Sequence, residues 1–141
     1  GKVKGYKPKD AVLYEPVSYL EGVMEKYQPG DYEFDVPEKL IELYQNKDYG
    51  DYGINGKMPV NFIGTNHTTG GNSGSPAIDA NGNLIGLNFD RVWEGTMSDM
   101  NYDPEICRNI MVDLRYVLFI VDKYAGAKHL IDEIELVHPK K

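Results

Sequence analysis

Two apolar runs, "SPAI" and "LIGLNF", are joined by "DANGN", with Asn81-Gly82 at its centre. No other short feature constrains the chain as much. Asn and Gly both accept positive φ, so the pair suits a type I′ turn between antiparallel strands. A hairpin over residues 75–89 is predicted. "MPVNFIGT" reads as a strand before it and "RNIMVDL" as a strand after it. The flanks show a different period. Leu20, Val23, Met24 and Tyr27 repeat at helical spacing, predicting a helix over 16–27 that Gln28-Pro29-Gly30 stops. A second helix is predicted after an Asp35 N-cap, with Pro37 in its first turn and Val36, Leu40, Leu43 and Tyr44 buried. Leu114, Val117, Leu118 and Val121 predict a third, ended at Gly126, and "AKHLIDEI" a short fourth before a frayed "VHPKK". "GKVKGY" suggests a strand with Val3 inward, broken by "KPKD", and "DYGDYGINGKM" a loop.

The expected class is mainly β with helices. Residues 1–57 form a first strand and a helical insertion, 58–113 the β-hairpins, and 114–141 the C-terminal helices. The 141 residues, 41% hydrophobic, suffice for one core. A net charge of −7 argues against nucleic acid, whose phosphates call for clustered Lys and Arg. Cys107 is the sole cysteine, which excludes an internal disulfide and reads as a small buried hydrophobe. No apolar run approaches the roughly 18 residues that span a bilayer. Asp99, Asp103 and Glu105 lack the Gly-centred spacing of an EF-hand and read as a solvated loop and a helix cap. Trp93 reads as a packing residue. No metal or cofactor is expected. The start within strand-like sequence, with no Met and no signal peptide, fits a piece of a longer protein.

"TTGGNSGSPAI" carries the chemistry. A nucleophilic serine needs a sharp turn that exposes its Oγ and backbone N–H groups aimed at the developing oxyanion. Glycines on both sides of Ser73 permit that turn, and the amides of Gly71 and Ser73 would line the oxyanion hole. An ordinary polar turn is the alternative. A phosphate loop is disfavoured because no Gly-Lys-Ser/Thr follows. His67 lies six residues before Ser73 and would have to fold back sharply to act as its base. His129 and His138 lie near the carboxy terminus. All three are read as structural or solvent-facing, so the base is expected outside this chain. His67 also falls in Asn66-His67-Thr68, a glycosylation sequon that is common by chance.

"GGNSGSP", an apolar strand, an Asn-Gly turn and "LIGL" together resemble the nucleophile region of chymotrypsin-like serine peptidases. A double barrel of that kind needs about 200 residues, with His and Asp preceding Ser. The chain then reads as the Ser-bearing half. "GLNFDRVWEGTMSDMNYDPEICRNIMVDLRYVLFIVDKYAGA", with "TGGNSGSP", closely resembles the carboxy-terminal part of the bacterial dipeptidyl-peptidases of family S46. The resemblance is strong from Met58 to Ala127. It implies a chymotrypsin-like double β-barrel with an added helical domain, and removal of dipeptides from free amino termini in the periplasm. It implies that Ser73 is the nucleophile, that Asp90 holds the substrate ammonium, and that Arg91 sets specificity. That last position is Gly in members preferring hydrophobic residues and Arg in members cutting after Asp or Glu. Phe89 joins Asp90 and Arg91 in the expected substrate-binding set. The chemistry agrees: a guanidinium can grip a carboxylate through two parallel hydrogen bonds.

Two other readings stay open. One is hydrophobic preference with Arg91 turned to solvent; the other is a non-catalytic peptide-binding module. The expected partners are a peptide with a free amino terminus, the amino-terminal part of the same protein and, for the full-length chain, a second copy. Neither nucleic acid nor membrane is expected. Asp90 and Arg91 are neighbours, and neighbours in a regular strand face opposite sides.

Overall fold

The computed structural model describes residues 1–137; His138 and most of the expected frayed tail lie outside the described residues. The chain forms β1 (Tyr6–Lys9), β2 (Val12–Tyr14), β3 (Val17–Tyr19), α1 (Leu20–Lys26) and α2 (Glu38–Gln45). These are followed by β4 (Pro59–Gly64), β5 (Pro76–Ile78), β6 (Leu84–Arg91), β7 (Asn109–Asp113), α3 (Leu114–Phe119) and α4 (Lys128–Ile131). Five strands make one antiparallel sheet in the order β3-β4-β7-β6-β5, and β1 and β2 form a separate hairpin. The architecture is mainly β with helices.

The sheet follows from its sequence. In β7, "NIMVD", Asn109, Met111 and Asp113 are buried while Ile110 and Val112 are half-buried on the other side. β4 sets Phe62 opposite Met111 across the ladder. Gly86 of β6 makes this packing possible. A Cβ there would lie 2.6 Å from the Val112 carbonyl oxygen and 2.7 Å from the Phe62 ring, so any side chain would push the strands apart.

A second cluster holds Leu20, Val36, Leu40, Tyr49, Tyr52, Met58, Val60 and Phe119. It packs α1, α2 and α3 around the start of β4. Leu20, Met58 and Phe119 are completely buried. Tyr49 and Tyr52 come from the segment expected to be a loop, which contains a 3₁₀ turn in its first half, Gly50–Tyr52.

Several expectations are corrected. Residues 17–19 pair with β4, so the first helix begins at Leu20, not Pro16; pairing with an open strand overrides helical spacing. The second helix starts at Glu38, flanked by Pro37 and not Asp35. A residue before proline disfavours helical backbone, which keeps Val36 outside the helix. Asp35 accepts instead from the Val36 amide at 2.9 Å. Val3 is half exposed and only bridges Gly64, whereas Tyr6 is buried. "KPKD" does not break the strand: Pro8 sits within β1, where the ladder is irregular, and Ala11 turns it with φ of 60°. The third helix buries Phe119, with Tyr116, Leu118, Ile120 and Tyr124 packed beside it, in place of Val117 and Val121. A π turn over Ile120–Tyr124, closed by the Ala125 amide on the Ile120 carbonyl at 2.8 Å, shifts the helical phase.

The hairpin is present, but its turn is not type I′. Only Gly82 has positive φ, at 88°. The Gly82 amide donates to the Asp79 carbonyl at 3.1 Å, and Asp79 Oδ1 accepts from Asn81 and Asn83 at 2.8 and 2.9 Å. The Asp79 carboxylate thus organises a longer loop with glycine at its left-handed position.

Candidate active site

Between β4 and β5 the chain makes two successive β-turns that share Asn72. In the first, the Asn72 amide donates to the Thr69 carbonyl at 3.3 Å; in the second, the Ser75 amide donates to the Asn72 carbonyl at 3.0 Å. Glycine takes the third position of both, Gly71 with φ of 94° and Gly74 with φ of 82°, where a side chain would be strained. Ser73 is the second residue of the second turn and is exposed. Among the described residues, neither its Oγ nor the amides of Gly71 and Ser73 hydrogen-bond to protein. A presented hydroxyl beside uncommitted amides is what an acyl-transfer nucleophile requires.

The turns are fixed to β6 at Asn88. Gly74 donates its amide to the Asn88 carbonyl at 2.7 Å, and the Asn88 amide donates to Ser75 at 2.9 Å. The buried Asn88 side chain adds Nδ2 to the Asn72 carbonyl at 3.2 Å. On β7, buried Asn109 accepts from Thr68 Oγ1 at 2.6 Å and donates to the Asn66 carbonyl. Both asparagines went unnoticed in the sequence. Their signal was there: a lone amide inside each of the apolar runs "LIGLNF" and "RNIMVDL".

β6 carries a bulge at Phe89. Asn88 pairs with Met111 and Asp90 with Ile110, so Phe89 is an extra residue. Phe89 and Asp90 are both exposed, and Arg91, opposite Asn109, returns to the face of Asn88. Arg91 therefore reaches the segment that leads into the Ser73 turn. Its Nη2 donates to the Thr68 carbonyl at 3.0 Å and to Asp99 Oδ1 at 2.9 Å, and its Nη1 donates to Ser98 Oγ at 3.0 Å. Asp90 accepts from the Arg91 amide at 2.7 Å and leaves the opposite face. Asp90 and Arg91 do not pair through their side chains.

The surroundings bring further corrections. Asp99 is no mere solvated-loop residue, because the Arg91 hydrogen bond holds its carboxyl below the usual carboxylate range. Asp103 caps a turn, not a helix, accepting the Glu105 amide at 2.9 Å. Trp93 is 85% exposed and packs on little of this chain. His67 is exposed and packs against Tyr102 with ring centroids 5.0 Å apart and tilted by 51°, without a hydrogen bond to Ser73 among the described residues. Cys107 is buried and free.

A family model described as Peptidase S46 matches residues 1–136. The chain is 80% identical over all 141 residues to an Asp/Glu-specific dipeptidyl-peptidase of Flavobacterium psychrophilum, covering 20% of that protein. It is 56% identical over 138 residues to dipeptidyl-peptidase 7 of Phocaeicola vulgatus, covering 97% of this chain and 19% of that protein. In structure it matches Porphyromonas endodontalis DPP11 in complex with the dipeptide Arg-Glu, with a TM-score of 0.92 and 56% identity, over 94% of this chain and 19% of that one. The chain spans about a fifth of the length of the curated relatives it matches.

Proposed function

This chain belongs to the Peptidase S46 family, and we propose that its whole protein is a serine exopeptidase releasing dipeptides that end in Asp or Glu. Ser73 Oγ attacks the carbonyl carbon of the second residue. The Gly71 and Ser73 amides receive the oxyanion. A His and an Asp from the rest of the protein serve as base and orienter. Asp90, exposed near the end of β6, holds the free ammonium as the substrate passes over that end, and Phe89 lies against the peptide beside it. Arg91 grips the acidic side chain. The double barrel, a homodimer and a periplasmic place belong to the same proposal and rest on the family resemblance.

One observation carries the specificity: the Arg91 guanidinium donates to the Thr68 carbonyl, at 3.0 Å, within the loop that lifts Ser73. The Flavobacterium psychrophilum relative, named Asp/Glu-specific, supports the same reading. Hydrophobic preference is the second reading. What favours it is the Arg91–Asp99 pair at 2.9 Å, which already balances the cation's charge.

A fluorophosphonate probe should label the whole protein at Ser73, as read by peptide mass spectrometry. Absence of adduct on folded protein would favour a non-catalytic module. Asn88→Ala should lower kcat by about 5- to 30-fold, from roughly 1–2 kcal/mol of lost turn support, with KM nearly unchanged. Unaltered kcat would mean that the backbone bonds to β6 hold the turn without the side chain.

A further inference from the structure

Arg91 already has company. Its Nη2 carries two hydrogens and serves two acceptors, the Thr68 carbonyl at 3.0 Å and Asp99 Oδ1 at 2.9 Å. A guanidinium can hold a carboxylate side by side in two ways, through Nη1 with Nη2 at its tip or through Nε with Nη2 along its edge. Each needs an Nη2 hydrogen. A substrate carboxylate can therefore be gripped through two bonds only if one of the present acceptors leaves.

The two acceptors are held differently. Thr68 is fixed from two sides, by its own hydroxyl on buried Asn109 at 2.6 Å and by its place in the loop that runs into the serine turn. The Asp99 side chain is 52% exposed, against 18% for Arg91, and Met100 after it is almost wholly exposed. On leaving, the Asp99 carboxylate regains water, whereas the guanidinium gains little. The cation then needs a new anion, because a partly buried unpaired charge is costly. An Asp or Glu side chain supplies one; a Leu side chain does not.

We infer that Asp99 stands in the place of the substrate's acidic side chain in the resting enzyme, as an internal competitor that each acidic substrate displaces. This rests on reading Arg91 as the cation of the acid pocket. Asp99 thereby sets how tightly acidic substrates bind without touching the scissile bond. A residue that only positioned Arg91 would act in the opposite direction, since losing it would weaken acidic substrates.

Steady-state kinetics of the whole enzyme decide between the two, using Xaa-Asp, Xaa-Glu and Xaa-Leu reporter substrates. Asp99→Asn should lower KM for the acidic pair about two- to ten-fold. Their kcat should stay within about two-fold, because the bound states regain the same contacts. Preference for acid over Leu should rise. Asp99→Glu, which restores an anion, should bring KM back toward the parent value. An acidic KM that is unchanged or raised in Asp99→Asn overturns the inference, as does a Glu variant that behaves like the Asn one. Arg91→Gly, run alongside, separates the two levels. If it abolishes acid preference while Asp99→Asn leaves KM alone, only the competitor role fails. If it leaves acid preference intact, the reading of Arg91 fails first.

Discussion

Ser73→Ala in the whole enzyme is expected to lower kcat by about four to six orders of magnitude while KM changes little. The reason is that the hydroxyl is the only part of the residue that bonds covalently to the substrate. The Ser73 amide stays, the Gly71 amide stays, and the turn keeps the geometry set by Gly71, Gly74 and Asn88. What survives is the rate that binding and oxyanion contacts give to attacking water. Stability should scarcely move, within about 0.5 kcal/mol, because the side chain is exposed and, among the described residues, bonded to nothing in the protein. Kinetics and a thermal melt on one preparation check both halves. More than a few per cent of parent kcat, from protein that melts normally, would remove Ser73 from the chemistry.

Arg91→Gly is expected to lower kcat/KM for Xaa-Asp and Xaa-Glu about 30- to several-thousand-fold, from roughly 2–5 kcal/mol for truncating one partner of a desolvated charge pair. Hydrophobic substrates should be spared. Glycine also leaves the Thr68 carbonyl, Ser98 Oγ and Asp99 without the Arg91 donor, so a loosened loop is a second source of loss. Arg91→Lys distinguishes these causes. Lys keeps the charge but cannot hold the Thr68 carbonyl and Ser98 Oγ while offering a substrate carboxylate a planar two-bond fork. It should recover only a fraction of the acidic activity, with parent-like activity toward Xaa-Leu. An unchanged ratio of acidic to hydrophobic turnover in Arg91→Gly would end the specificity assignment.

Much of the sheet was legible because strand signals are local. "MPVNFIGT", "LIGLNF" and "RNIMVDL" each carry enough β-branched and aromatic content to be found without their partners. The serine turn was legible for a related reason: two glycines three residues apart leave little choice of backbone. Features set by long-range contact were hidden. The pairing of Val17–Tyr19 with β4 overrode a sound helical period, and the π turn after Phe119 changed which side of α3 is buried. The bulge at Phe89 has no signature in "LNFDR"; it exists only relative to β7. The amide contacts of Asn88 and Asn109 and the Asp99 bond to Arg91 likewise join residues that sequence spacing does not relate. Neighbour alternation correctly warned that Asp90 and Arg91 diverge. It could not tell which of them shares a side with Ser73.

Asn88 steadies the serine turn, and Arg91, three residues further along β6 across the Phe89 bulge, carries the selecting charge. The distance between reactivity and discrimination is thus set by covalent backbone instead of by the meeting of two independent loops. Thermal breathing that displaces the strand carries both together, so a misread side chain is not excused by a momentary slip of the pocket past the reacting centre.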